Sequence, residues 1–128
     1  RRYRVMVTVP AFLLRRLYVK KSLRNTENGF EFELRNRLGS GYAFKLWPLT
    51  VDGVELPPED SVFQLEREET AFSEVSKERT FTLAMNRTIT IKANGTTLES
   101  GPRKIGMGFD VPGLGTLRFG FTDVVADE

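Results

Sequence analysis

Glu59-Asp60 and, a few residues on, Glu66, Glu68 and Glu69 are the densest carboxylates in the chain. A pair of carboxylates can run glycoside hydrolysis, and a cluster of them can hold Ca²⁺ or Mg²⁺. The spacing here is specific to neither, and acids following Pro57-Pro58 read as solvated surface. Asp52 beside Gly53 reads as a turn residue. The basic residues concentrate near the start, as Arg1, Arg2 and Arg4 and again as Arg15, Arg16, Lys20, Lys21 and Arg24. Such a cluster can bind phosphate, but a solvated and partly frayed terminus is the weightier reading. Gly113-Leu114-Gly115 is not followed by a helix pattern, so it lacks the amide cradle and dipole of a phosphate loop. Asn86-Arg87-Thr88 and Asn94-Gly95-Thr96 fit the glycosylation acceptor pattern, which matters only in a secretory compartment.

What the chain lacks narrows its chemistry further. It contains no Cys and no His. Disulfides, thiolate nucleophiles and cysteine metal sites are therefore excluded, as are the commonest general base and the commonest transition-metal ligand. Catalysis by the isolated chain is not expected, and the absence of Cys fits a cytoplasmic protein. With 19 basic and 17 acidic residues the net charge is +2, a slight excess that gives little support to nucleic-acid binding. No apolar run reaches membrane-spanning length, and Val9 to Leu14 is too short for a signal sequence. A soluble protein is expected, in which residues 1–5 are a remnant or upstream sequence and Met6 is a candidate start.

The elements that would position these groups are strands. In Gly29-Phe30-Glu31-Phe32-Glu33-Leu34-Arg35, Phe30, Phe32 and Leu34 alternate with Glu31, Glu33 and Arg35, the period of a half-buried strand. Asn28-Gly29 favours a tight turn with positive φ before it, and Gly39-Ser40-Gly41 a flexible break after it. Val5, Val7 and Val9 can add an edge strand. Pro10 suits the first position of a short helical turn carrying Phe12, Leu13, Leu14 and Leu17, with extended chain from Leu17 to Leu23. Tyr42 to Trp47 continues as a strand stopped by Pro48, with Phe44 in the core and Trp47 beside Lys45 on the other face. Leu49 to Leu56 is the clearest hairpin, with Asp52-Gly53 as a type I′ turn. Strands follow at Val62–Leu65, Phe81–Met85, Ile89–Ala93, Ile105–Val111 and Leu117–Phe121, with one helical turn near Phe72 and Val75. Gly106 and Gly108 leave one face of their strand bare, under a close neighbour or open. The sum is an all-β antiparallel sandwich of about seven to nine strands, immunoglobulin-like or jelly-roll-like. It is read as one domain over 17–126 after a partly flexible segment 1–16.

Ser22-Leu23-Arg24-Asn25, the Phe-Glu-Phe-Glu strand, Leu49-Thr50-Val51-Asp52-Gly53 with Glu55-Leu56-Pro57, and Leu98 with Ser100-Gly101 together resemble the small β subunits of bacterial C-glycoside deglycosidases. The resemblance implies a non-catalytic sandwich that assembles with a barrel-type catalytic α subunit in a carbon–carbon lyase. It also implies no cofactor in this chain, any divalent metal being held by the partner. Asn36 to Gly41 stands where that family carries an aromatic-rich segment, and Arg35, Arg37, Tyr42 and Trp47 flank it, so these four are the candidate partner contacts. The expectation is an accessory or structural subunit. A stand-alone module for carbohydrate or protein is the alternative, a carboxylate-based hydrolase is less favoured, and unpaired sheet edges leave homo-oligomers open.

Overall fold

The alternation around Phe32 folds as its pattern requires. In the computed structural model, which describes residues 9–126, Gly29–Arg35 is a strand whose Phe30, Phe32 and Leu34 are fully buried while Glu31 and Glu33 are half-buried and Arg35 is exposed. In chain order a four-residue helix, α1 (Ala11–Leu14), runs into a 3₁₀ turn (Arg15–Leu17). The strands are β1 (Arg24–Asn25), β2 (Gly29–Arg35), β3 (Gly41–Ala43), β4 (Lys45–Leu46), β5 (Thr50–Val51) and β6 (Val54–Glu55), then β7 (Ser61–Leu65), β8 (Glu68–Ala71), β9 (Phe81–Leu83), β10 (Thr88–Asn94), β11 (Pro102–Val111) and β12 (Gly115–Val124).

One sheet has the order β1-β2-β10-β7-β8, the second β12-β11-β5-β6 with β4 also on β11, and β3 pairs with β9 in a small third sheet; every strand pairing is antiparallel. β2 and β10 set the first sheet, Phe32 lying opposite Ile91 and Leu34 opposite Ile89. β11 and β12 set the second, Ile105 opposite Phe121 and Phe109 opposite Leu117. Aromatic rings join the layers. Phe32 meets Phe121 edge to face at 5.1 Å, and a chain runs from Phe63 through Phe81 (4.9 Å) and Phe109 (6.4 Å) to Phe119 (6.3 Å). The architecture is a mostly antiparallel β-sandwich. No helix among the described residues is long and apolar enough to cross a membrane.

Two turns carry different lessons. Asp52 and Gly53 both have positive φ, 50° and 88°, closing the β5–β6 hairpin as the type I′ geometry demands. Gly29 is not a positive-φ residue: it opens β2 opposite Asn94, and a Cβ there would run into the Ala93 carbonyl oxygen. Close approach of β10, rather than turn geometry, is what requires glycine. Likewise the bare face at Gly106 lies under a close neighbour, the Thr50 hydroxyl.

Other expectations shift in detail. Val5 and Val7 lie outside the described residues, and Val9 is half-buried next to Pro10, which caps α1 rather than beginning it. The segment Leu17 to Leu23 is not a continuous strand. Tyr18 makes one bridge to Leu34, and the chain then turns at Lys21 (φ 70°). Ser22 explains the departure: its hydroxyl donates to Val19 O (2.6 Å) and accepts from Glu33 N (3.0 Å), taking over a rung of the ladder. Tyr42 to Trp47 breaks into β3 and β4, which belong to different sheets, so Ala43 and Leu46 face the core and Phe44 is half-buried. The break at Gly39-Ser40-Gly41 is pinned by buried Asn36, whose side chain donates to Gly39 O (2.6 Å) and Leu83 O (2.7 Å) and accepts from Leu38 N (3.0 Å). The charged run after Leu65 is not merely surface: Glu66 (φ 58°) and Arg67 turn the chain, and β8 pairs back on β7.

A cationic groove as candidate functional site

The first basic cluster does not stand alone in space. α1 and its 3₁₀ turn anchor Leu14 and Leu17 in the core, and the chain then lies along β2 through the Tyr18–Leu34 bridge and a Val19 N to Glu33 O hydrogen bond of 2.9 Å. This docking brings Arg15, Arg16, Lys20 and Lys21 alongside Arg35 at the end of β2 and Arg37 just beyond it. With Phe12, Tyr18, Val19 and the β12 residues Phe121, Thr122 and Asp123 they line a groove of about 930 Å³, a volume within the range of ligand pockets. All six cationic residues are exposed.

Among the described residues Asp123 is the one acid in the lining, and it is already engaged. Its Oδ2 accepts from the Tyr18 hydroxyl and from Lys21 N, both at 2.8 Å, and its Oδ1 from Val124 N at 2.8 Å. Burial disfavours its charge, yet these donors and the nearby Lys21 ammonium outweigh burial and hold the carboxyl below its ordinary range. The reciprocal effect falls on Tyr18. Burial first, then the hydrogen bond to Asp123, push its hydroxyl up to about 12 from 10.0. The same oxygen accepts from buried Leu23 N at 3.2 Å, and the ring stacks on Phe121 at 3.6 Å. The joint therefore fixes the turn that carries Lys20 and Lys21 to the edge of β12. Arg24, the remaining member of the sequence cluster, turns away and pairs with Glu31 and, at 3.6 Å, Glu33.

The four candidate contact residues separate. Arg35 and Arg37 line the groove, whereas Tyr42 and Trp47 lie in other recesses. Trp47 is half-buried. Lys45 Nζ sits 3.7 Å and Arg118 Cζ 4.9 Å from its ring centroid, and its indole N–H donates to Asp110 Oδ1 at 2.8 Å. Asp110 also accepts from Thr116 Oγ1 at 2.6 Å; burial opposes its charge, but the Thr116 and Trp47 donors and the Lys45 and Arg118 charges prevail and lower its proton affinity. Tyr42 is 49% exposed, near Phe44, Lys77 and Pro112. A smaller apolar recess of about 270 Å³ beneath Gly39–Gly41, lined by Leu14, Leu38, Tyr42, Leu83, Phe109 and Leu117 among others, carries few polar groups.

The carboxylates singled out from the sequence do not converge. Glu66 pairs with Arg87 at 2.9 Å and Glu69 with Lys92 at 3.0 Å, both on the surface, while Glu59 and Asp60 lie in a 3₁₀ turn. No group of three or more acids that could hold a metal occurs among the described residues. Asp52 is tied down by Lys104 N (3.0 Å) and Arg103 (3.1 Å), and the Lys104 amide is the main reason its carboxyl sits below the ordinary range. The groove is hard to read from the sequence because Arg35 and Arg37 are distant from the first cluster along the chain. The signal was the abundance of basic residues before Glu27, but not their destination.

Comparison with known proteins changes the family reading. No match is found among curated proteins. The family described as hydroxymethylglutaryl-CoA reductase, N-terminal domain, matches residues 13–126. This overturns the resemblance to C-glycoside deglycosidase β subunits, which rested on strand and turn features open to many sandwich domains. The barrel partner and the divalent metal inferred from that resemblance lose their basis with it. By a match over nearly its whole length, the chain belongs to the family of the hydroxymethylglutaryl-CoA reductase N-terminal domain.

Proposed function

We propose that this chain is a non-catalytic accessory or structural domain of an enzyme of the hydroxymethylglutaryl-CoA reductase type, serving a catalytic partner rather than carrying out the reaction. The observation that supports this best is that, among the described residues, each acid whose proton affinity is displaced is engaged by the chain's own donors. Asp52 joins the β5–β6 hairpin to β11, Asp110 holds Trp47 and Thr116, and Asp123 with Tyr18 closes the turn at Lys21. A general acid or base must have a proton site open to substrate, and these sites are filled by the chain's own donors. The lack of His and Cys points the same way, and the lack of Cys suits a cytoplasmic location. The family description names an N-terminal domain, which fits a part that works within a larger enzyme. A stand-alone binding module is the second reading, favoured by the cationic groove.

Assaying the purified chain alone for reduction of hydroxymethylglutaryl-CoA tests the reading. The expected result is no turnover above the background without protein. Saturable turnover that survives further purification, and falls when Asp110 or Asp123 is replaced by Asn, would overturn it.

A further inference from the structure

We propose that the apolar recess beneath Gly39–Gly41 binds an uncharged, hydrocarbon-rich small molecule of about ten carbon atoms. The recess exists because the chain changes sheets after Ala43. β3 pairs with β9 in the small third sheet, whereas β4 joins β11, so a seam is left between the small sheet and the second one. The one inward side chain of β3 is that of Ala43, opposite Phe81, and a methyl group does not fill the seam. Phe109 and Leu117, themselves a cross-strand pair, supply a further wall, and Leu14 and Leu17 of the N-terminal helical turns another.

The lining decides the chemistry. None of the described residues that form it carries a charge. Asn36, its buried polar side chain, is saturated by the loop itself: the amide nitrogen donates to Gly39 O (2.6 Å) and Leu83 O (2.7 Å), and the oxygen accepts from Leu38 N (3.0 Å) and Gly39 N (3.2 Å). An ion entering the recess would lose its hydration and gain no partner. Ser40 and Tyr42, both exposed, carry hydroxyls at the rim, which suit one neutral polar group at the mouth. Volume sets the size. An apolar cavity of about 150 Å³ accommodates benzene, so about 270 Å³ accommodates a molecule nearly twice as large, such as a medium-chain alcohol or a bicyclic hydrocarbon. The recess shares no described residue with the cationic groove. This inference goes beyond the accessory reading and does not rest on it.

NMR titration of the full chain, labelled at its Leu and Val methyl groups, with 1-octanol and separately with octanoate tests the site. 1-Octanol is expected to shift the Leu38, Leu83 and Leu117 methyls saturably and to give nuclear Overhauser contacts to them, and Val54 and Val124, exposed outside the lining, should show neither. Octanoate should bind about tenfold more weakly or worse, because its carboxylate finds no cation there. Ala43→Leu fills the recess and is expected to weaken 1-octanol by about tenfold or more, with the Leu23 and Leu49 methyls of the core unmoved. Should that variant fail to fold, Leu38→Ser, at the exposed rim, is expected to weaken binding about threefold or more. The proposal fails if the shifts do not saturate, if octanoate binds as tightly as 1-octanol, or if the folded variants keep full affinity. Contacts from the Val5 or Val7 methyls to Leu83 or Leu117 that 1-octanol does not displace would give the recess to the chain's own N-terminal segment and would also overturn it.

Discussion

Replacing Phe32 by Ala lowers the unfolding free energy by about 3–5 kcal/mol, the cost of removing a large aromatic side chain from a closed core. Phe32 is fully buried, lies opposite Ile91 in the middle of β2 and β10, and meets Tyr18 at 6.1 Å and Phe121 at 5.1 Å, both edge to face. Its ring therefore touches both sheets and the segment that carries the groove. A domain of this size commonly has a total stability of about 5–15 kcal/mol, so the variant should be near the limit of folding. Urea denaturation of Phe32→Ala beside Glu31→Ala checks the estimate. Glu31 is the outward neighbour and should cost far less, apart from its pairing with Arg24. A loss below about 1 kcal/mol at Phe32 would mean that the layers do not close where this core places them.

The second large effect is on pH. Tyr18 titrates near 12 in the folded chain against 10.0 ordinarily, so its contribution to stability is complete below pH 10 and is lost as pH rises through about 12. Asp123 works in the opposite range. Its carboxyl is held below the ordinary value, so its contribution is present above the ordinary carboxylate range and is lost as acid protonates the folded form. Stability measured against pH should fall at both ends, and one phenolate should appear together with the alkaline loss. Tyr18→Phe should flatten the alkaline limb. At neutral pH it should still cost about 1–3 kcal/mol, because buried Leu23 N loses its acceptor and Asp123 a donor. An unchanged alkaline limb in that variant would place the titration elsewhere.

How much could be read in advance depended on whether the signal was local. Phe30, Phe32 and Leu34 announce β2 by period alone, and Asp52-Gly53 announces its hairpin because few residues accept positive φ. Gly29 reads as a positive-φ turn glycine, which it is not: the constraint on it is the Ala93 carbonyl of a strand more than sixty residues away, which no local pattern reports. Unbroken alternation would put Phe44 in the core, but the chain changes sheets there and the inward positions become Ala43 and Leu46. β8 was hidden because it is an edge strand with Glu68 and Glu69 exposed, leaving Thr70 as its one buried position. The groove was least legible. Its cations come from two segments, and only the packing of Tyr18 against β2 and β12 unites them. The family resemblance misled for a related reason, since strand alternation and Asp-Gly turns specify a sandwich without specifying its partner.

The most direct measurement of the accessory reading is affinity purification of the tagged chain from its source cells, with mass spectrometry of the retained proteins and a sizing column run beside it. The account predicts a stoichiometric complex containing a reductase catalytic region, with the reducing activity travelling in that complex. Recovery of the chain alone, as a monomer or a homo-oligomer, from cells in which a reductase catalytic region is present would contradict it.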